Sequence, residues 1–412
     1  MAAIQTSIAI IGAGLSGLCL GLALHQQLIP CTIYESRTAP LDIGGAIMLS
    51  PNALRILDSL GVYERLAPLA YHFKNLHFRT DDDKLLDTFE FGSEEKYGFD
   101  GVRIYRFELI KVLLEKLSEV GIRPHYGKKF VKVTGEDSES VSWAFDDGSS
   151  GKASYLIGAD GIHSRVRAHI NANAVPIFTK MIGVSASVPT AQLGFRVDDD
   201  YPLPVTVMNK KHGAFVAAPQ RKDGSEIFIG KQCHFTEEPD REGWERITSD
   251  KAWCIEFLRQ GSEDYPPFVA RAVSNIHIEA INLWPFYIIP KLDSWASSQG
   301  RVVILGDAAH AIPPTAGQGV NQAFEDVYVF AKVVGRANQS GDMNLRSVLH
   351  EWQLKRQERV DQVLELNASI NKRRLPAKGD DIVSHEAFDL DWLYGVDFEA
   401  TVQEILVQHN HC

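Results

Sequence analysis

Six residues near the start of the chain, Gly12-Ala13-Gly14-Leu15-Ser16-Gly17, set three glycines in the spacing G-x-G-x-x-G. Glycines spaced this way let a chain turn tightly, bring backbone N–H groups against an anion and pack a helix onto a strand. Gly12 is expected to permit the turn, Gly14 the approach to a pyrophosphate and Gly17 the helix–strand contact. The run "SIAII" before them predicts a strand, and "LSGLCLGLALHQQ" after them a packed helix whose N-terminus carries partial positive charge. A second strand, "CTIYE", ends in Glu35, roughly twenty residues on, where an acid can accept hydrogen bonds from a ribose diol. The same acid repels a 2′-phosphate. The chemistry predicted is tight binding of FAD or NAD rather than NADP.

A second stretch has the grammar of a ligand loop: "RVVILGDAAHAIPPTAGQGVNQAFED", residues 301 to 326. It reads as a buried strand, an Asp (Asp307), a rigid turn at Pro313 and Pro314, glycines, and the start of a helix at Gly319, Val320 and Asn321. A third, "ASYLIGADGIHSRVR", brings Asp160 to a strand end, with Arg165 and Arg167 following as partners for ligand hydroxyls and phosphates. Arg103 and Arg106 stand at the entrance of the helix in "VRIYRFELIKVLLEKLSEVG". A charge there is either solvated or directed at a phosphate or a flavin edge. His310 reads as a hydrogen-bonded structural residue. The terminal His409-Asn410-His411 reads as a solvated tail, and no metal site is expected.

These loops need elements to hold them. The strand–turn–helix texture of the first part returns at "RVVILGD", so the nucleotide-binding domain is predicted to be discontinuous, over 1–174 and 291–412. Between them, about 175–290, prolines alternate with short runs such as "PVTVMN", "GAFVAAP" and "SEIFIGKQCHF", which predict an inserted antiparallel sheet. "GWERITSDKAWCIEFLRQ" predicts one helix within it. The fold class expected is α/β, a Rossmann-like domain with an inserted sheet-rich substrate domain and a C-terminal helical segment. That segment holds a long helix, "VLHEWQLKRQERVDQVLELNASINKRR", whose basic positions are expected to face solvent.

The chain has 412 residues, enough for two closely packed domains, with 45% hydrophobic and 23% charged residues. A net charge of −11 argues against sequence-independent binding to nucleic acid. Five scattered cysteines without a C-x-x-C pair fit a reducing compartment. The apolar run at residues 8 to 24 lacks a basic leader and is broken by glycines, so it reads as strand, turn and helix rather than as a signal peptide or a membrane span. A cytoplasmic protein without a transmembrane segment, monomeric or homodimeric, is expected.

"GAGLSG" with Glu35, "GADGIHSRVR" and "GDAAHAIPPTAGQGVNQAFED" occur in one order. Together they resemble the single-component, class A FAD-dependent monooxygenases, the salicylate and para-hydroxybenzoate hydroxylase family, and most of all its fungal secondary-metabolism members. The resemblance implies FAD as cofactor and NAD(P)H as transient reductant. It implies insertion of one oxygen atom of O2 into a small hydrophobic aromatic or olefinic molecule through a flavin hydroperoxide. It sets Gly12, Gly14 and Gly17 against the pyrophosphate and Glu35 against the adenosine ribose. Gly45 and Ala46 would run near the flavin, with Arg106 on the cofactor. Asp160 would serve FAD and NAD(P)H contacts, and Asp307 would accept from a ribityl hydroxyl. Gly319, Val320 and Asn321 would meet the pyrimidine edge of the flavin, with Pro313 and Pro314 bracing the pocket beside the ring. A helix N-terminus stabilises the charge of reduced flavin by roughly 0.3–1 kcal/mol.

The substrate residues should come from the inserted sheet. Where some relatives place an Arg facing the substrate, "MIGVSASVP" offers Ser185 and Ser187, which leaves room for a neutral polyketide, indole or terpenoid. Arg196, His212 and Tyr287 are the candidate catalytic side chains. The alternatives are a related flavoprotein performing epoxidation, oxidative rearrangement or antibiotic inactivation, and a non-catalytic flavin-binding interaction protein. "NLWPFYIIP" lacks the Trp-x-Trp-x-Ile-Pro motif of flavin halogenases.

Overall fold

The computed structural model describes residues 6–40, 44–195, 201–340, 344–374 and 388–407, with the backbone alone at 371–374. Arg196 and the His409–His411 tail lie outside the described residues.

Four short strands form a parallel sheet in the order Val302–Ile304, Tyr155–Gly158, Ile8–Ile11, Cys31–Tyr34. Every residue of the first three is buried, which is why their sequences run apolar without alternation. The helix Leu15–Gln26 is buried on most sides because it lies between this sheet and the helices Arg106–Glu119 and Gly319–Ser340. Residues from both ends of the chain thus contribute strands to this sheet.

The second unit is a seven-stranded sheet in the order Ile281–Ile288, Ile177–Pro189, Glu226–His234, Gly213–Pro219, Val205–Asn209, Asn75–Thr80, Leu85–Glu90. One face carries Val184, Phe215, Ala217, Ile227 and Ile229, which form a core with Cys254, Leu258, Phe268 and Val269 of the covering helices. Where one helix was expected there are two, Arg241–Ser249 and Lys251–Arg259. The chain breaks at Asp250, whose carboxylate accepts from Trp253 N at 2.9 Å and caps the second helix.

The sheet is also not confined to 175–290. Its last two strands come from residues 75–90, and Asn75–Thr80 pairs in parallel with Val205–Asn209. "NLHFRT" and "LLDTFE" carry few β-branched residues and little alternation, so no strand was expected there. A small antiparallel sheet, Ala46–Leu49, Gly101–Tyr105 and Tyr71–Phe73, lies between the two units.

Candidate active site

The strand Ile8–Ile11 ends at Gly12, which adopts φ +109°, and a Cβ there would stand 2.4 Å from Ala159 O. A Cβ on Gly17 would stand 1.9 Å from Gly12 O, so loop and helix approach each other too closely for a side chain. Gly14 differs: space beside it is open, and it heads the helix Leu15–Gln26 without any side-chain capping bond. The helix end therefore presents uncapped N–H groups to an open cradle, the donor set an anion requires. Glu35 is buried beside it. Its Oε2 accepts from Ala13 N at 2.9 Å, and its Oε1 accepts from Arg37 N at 2.9 Å and Ser36 Oγ at 3.0 Å.

The strand Val302–Ile304 leads through Gly306, φ +58°, to the exposed Asp307. Pro313 and Pro314 enter a single 3-10 turn, Pro314–Ala316, and the helix Gly319–Ser340 follows. A Cβ on Gly319 would meet nothing within 4 Å, and Gln322 N bonds Gln318 O at 2.9 Å. The start of this helix, with Gly319, Val320 and Asn321, faces the molecule's second open cradle. The Asn321 side chain is committed elsewhere. Its Oδ1 accepts from Ser50 N at 3.0 Å, and its Nδ2 donates to Gly317 O at 2.7 Å and Met48 O at 3.2 Å. It braces the loop against the strand Ala46–Leu49.

That strand opens at the seam between the units. Ala46 N donates to Gln220 Oε1 at 3.2 Å, and Gly45 would place a Cβ 3.3 Å from the same oxygen. Gln220 is buried, and its Nε2 donates to Ser187 Oγ at 2.7 Å and Tyr105 Oη at 3.1 Å. The Arg106 side chain lies along the same loop, with Cδ 3.8 Å from where Gly44 would carry a Cβ. Its neighbour Arg103 is 6% exposed, donates from Nε to Pro219 O at 2.6 Å and sits over the Phe228 ring.

Asp160 follows the strand Tyr155–Gly158. Its carboxylate accepts from Ser164 Oγ at 2.6 Å and from Arg165 N at 2.8 Å. Burial pushes its pKa up, against the pull of those donors. Arg165 and Arg167, expected to meet ligand groups, are spent on backbone. Arg165 Nη1 donates to Phe130 O at 3.2 Å. Arg167 donates to Ala174 O, Ala308 O and Ile162 O at 3.0, 2.9 and 2.7 Å. Three orphaned carbonyls, not a phosphate, explain that guanidinium.

Two helix starts with open space beside a glycine, one next to a buried acid and one next to a proline turn, suit the two halves of a flavin dinucleotide. The family model described as "FAD binding domain" matches residues 5–366. The chain belongs to this family, the class A FAD-dependent monooxygenases. It is 30% identical over 341 residues to a 3-amino-4-hydroxybenzoate 2-monooxygenase of Streptomyces platensis, with 80% of each chain covered. It is 28% identical over 427 residues to a salicylate hydroxylase of Pseudomonas putida, covering 96% of this chain and 94% of that one. Among solved structures, CtdE in complex with FAD and a substrate has a TM-score of 0.79 at 20% identity and 98% coverage of both chains. Klebsiella pneumoniae HpxO complexed with FAD and uric acid has a TM-score of 0.73 at 22% identity, covering 97% and 92%.

In this monooxygenase the large sheet roofs the seam. Gln220 reaching Ser187 fixes which face looks inward. The register aligns Ser187 and Ala218 with Phe228, and Ser185 and Val216 with Gly230, on that face. The candidate side chains are not gathered there. His212 lies in the turn between Val205–Asn209 and Gly213–Pro219, and its Nε2 meets Asp264 Oδ2 at 2.8 Å. Tyr287 is on the edge strand, two strands removed from that hairpin. Its hydroxyl donates to Glu238 Oε1 at 2.7 Å, and burial followed by that carboxylate pushes its pKa up to about 12.

The monooxygenase also holds a buried charge cluster that the sequence did not suggest. Arg356, on the long helix whose basic positions were expected in solvent, is 1% exposed and bonded to Glu325 and Asp326, both 0% exposed. Arg359 Nε joins Glu325 at 2.6 Å, and Asn52 Nδ2 donates to Glu325 Oε1 at 2.7 Å. His310 is buried, with Nε2 2.5 Å from Asp326 Oδ2, so its role is structural support of the loop. The signal available was the acidic pair Glu325-Asp326 set directly against the apolar run Val327–Ala331. Two buried acids require cations from a neighbouring element.

Proposed function

We propose that this monooxygenase acts on a small, hydrophobic aromatic or olefinic molecule in secondary metabolism, with NAD(P)H as the reductant. The observation that carries the reading is the pair of open helix starts at Gly14 and Gly319, joined by a seam under an inward-facing sheet.

FAD, when bound and reduced, supplies the oxygen-activating chemistry. Gly12, Gly14 and Gly17 hold its pyrophosphate against the first helix start, and Glu35 takes the ribose hydroxyls. Asp307 is exposed for a ribityl hydroxyl, and Arg106 with Gly45 and Ala46 lines the path between. Gly319, Val320 and Asn321 offer N–H groups to the flavin's pyrimidine edge, which lowers the energy of negative charge there. Asp160 supports the cofactor-facing turn. Pro313 and Pro314 form one wall of the substrate pocket, and the face bearing Ser185, Ser187 and Phe228 forms the roof that keeps water out. Arg196, His212 and Tyr287 stay as candidate catalytic residues. For Tyr287 the raised pKa makes a neutral hydroxyl its resting form.

Cys19, Cys31, Cys233 and Cys254 are free thiols, in keeping with a cytoplasmic location. Among the described residues no helix is long and apolar enough to cross a membrane. A monomer or homodimer is proposed, to be read by light scattering.

The test is a substrate screen with the FAD-loaded protein, following stimulated NADH and NADPH oxidation and then label from 18O2 in the product. Label in a hydroxylated aromatic supports the reading. Stimulated oxidation without label in any product contradicts it.

A further inference from the structure

A cavity of about 1030 Å³ lies at the end of the parallel sheet away from the cofactor loops. Its position follows from the strand Val302–Ile304: Ser297, in the cavity wall, bonds Val302 O through its N–H at 2.9 Å at the strand's start, whereas Asp307 follows the strand's end. The other walls are Glu136, the one-turn helix Arg167–Ile170 and the first turns of the long helix Leu345–Arg374. None of the residues assigned to the cofactor lines it. A space of this size accommodates a small molecule. Arg346, His350 and Gln353 recur at i, i+4 and i+7, so one stripe of the long helix faces it.

Floor and mouth differ in chemistry. The floor is closed by its own bonds. Glu136 accepts from Ser297 Oγ and from Arg301 N at 3.0 Å, and its Oε2 meets His169 Nε2 at 3.0 Å. Gln353 accepts from Trp295 N at 2.9 Å and donates to Asp293 O at 3.1 Å. At the mouth the side chains of Arg346, His350, Ser298, Gln299 and Ser347 make no hydrogen bond or ion pair among the described residues. The stem of Arg346 is seated on Gly300, φ +73°, with Cβ and Cγ 3.4 Å from where that glycine would carry a Cβ. Glu136 is the single acid of the lining and is spent on the floor, so nothing in the cavity neutralises Arg346. On a chain of net charge −11 this is a cationic mouth, and its lining is apolar only at Ile170 and Ala296. Such a space selects against an apolar molecule and for an anion that carries hydroxyls.

We infer that this cavity is a second ligand site, which takes a sugar phosphate, free or as part of a nucleotide, and through which that ligand acts on the flavin loop. The planar fork of Arg346 matches a phosphate, and the hydroxyls and amide of Ser298, Ser347 and Gln299 match a polyol. The route to the loop is short. Gln353 on the floor holds Trp295, whose ring centre stands 5.0 Å from that of His310. His310 shares Asp326 with Arg356, one turn along the helix from Gln353. A ligand that draws residues 294–299 towards Arg346 therefore shifts the packing under the turn from Gly306 to His310. This coupling, unlike the site itself, rests on the placement of FAD proposed above.

The test uses the FAD-loaded full chain, which keeps the cofactor cradle occupied, and reads binding by titration calorimetry without turnover. The probes are ribose 5-phosphate, AMP, ribose and inorganic phosphate. Ribose 5-phosphate or AMP is expected to bind about 10-fold or more tighter than either ribose or phosphate alone, and which of the two binds tighter separates a free sugar phosphate from a nucleotide. Arg346→Gln should weaken that binding about 10-fold or more, and Arg346→Lys should keep part of it. Arg346 is exposed, so its variants are expected to melt with the parent, and melting temperatures check this. The second readout is the rate of FAD release with and without saturating ribose 5-phosphate or AMP, expected to differ about 5-fold or more. No binding by either phosphorylated probe, inorganic phosphate binding as tightly as both, or an unchanged affinity in Arg346→Gln overturns the site. Binding that leaves FAD release unaltered overturns the coupling. A protein that binds the sugar phosphate through Arg346 but never incorporates oxygen sinks the proposed function and leaves this site standing. One that oxygenates an aromatic substrate and ignores both phosphorylated probes does the reverse.

Discussion

Arg356 Nε donates to Asp326 Oδ1 at 2.8 Å in a place where neither side chain reaches solvent. The bond ties the long C-terminal helix to the helix that begins at Gly319. Asp326 uses its other oxygen for Gly306 N at 2.8 Å and His310 Nε2 at 2.5 Å. One buried carboxylate therefore holds the strand exit, the one-turn helix and the far helix in register around the loop.

Arg356→Met is expected to lose about 3–5 kcal/mol of stability, because it leaves two buried acids short of a cation. Arg356→Lys keeps the charge but not the fork and should lose less. Thermal melts of both variants with FAD present check this. A Met variant melting with the parent would contradict the role given to the pair.

Acid should act through the same cluster. Burial pushes Glu325 up, but Arg359 and Arg356 outweigh it and hold its pKa at about 2, below its ordinary 4.5. The unfolded chain therefore binds the extra proton first as pH falls. This part of the stability is complete above about pH 4.5 and fades towards pH 2. Asp326 adds in the same direction, with His310 and Arg356 overcoming its burial. Urea midpoints measured from pH 5.5 down to 3 should fall, and Glu325→Gln, weaker throughout, should flatten the slope.

Gly14 and Gly17 separate folding from binding. Gly17→Ala drives a methyl into Gly12 O and is expected to lose about 1–3 kcal/mol of stability in the apoprotein. Gly14→Ala has room and should melt like the parent without FAD. Its methyl projects into the cradle, so FAD affinity should drop about 10-fold or more. Calorimetry of the apoprotein and fluorescence titration with FAD read the two effects independently.

Glu35→Gln retains an acceptor for Ala13 N but loses the charge proposed to take the ribose diol. FAD should dissociate about 10-fold more readily, by the usual worth of a hydrogen bond to a charged group. Stopped release of FAD into dilute buffer, followed by fluorescence recovery, measures it.

Gln220→Leu keeps the volume and removes the bridge between Ala46 N and Ser187 Oγ. A buried N–H left unpaired costs about 1–3 kcal/mol. The visible spectrum of bound FAD should shift as the loop at Gly45 and Ala46 loosens, while the melting of the roof changes little. An unaltered flavin spectrum would show that the loop does not depend on the roof.

The parts of this molecule legible in its sequence are those where backbone geometry dictates residue type. Gly12 must take a positive φ, Gly17 must touch Gly12, and three of the four strands of the first unit must be apolar on two faces, so pattern and structure coincide. What stayed hidden depends on partners far along the chain. Arg356 looked like any cation on a polar helix, because the acids that bury it lie about thirty residues upstream. Arg103 looked like a helix-entry charge, because the strand it occupies is short and only the roof seals it off. Tyr287 and His212 drew attention as ionisable residues near the right stretch. Whether a side chain faces a pocket or a surface carboxylate is set by sheet register, which the local pattern of residues 205 to 288 does not determine.

The parallel pairing of Asn75–Thr80 with Val205–Asn209 also sets a biosynthetic order. The hairpin at 75–90 leaves the ribosome long before its partner strand and must wait with an open edge. Until residue 209 has emerged, that edge can recruit any extended peptide, including the same hairpin of a neighbouring nascent chain. Residues 175–290 excised as a free module would carry the complementary wound along Val205–Asn209. The roof is therefore not a transplantable cassette, and exchanging substrate specificity between relatives requires moving the 75–90 hairpin with it.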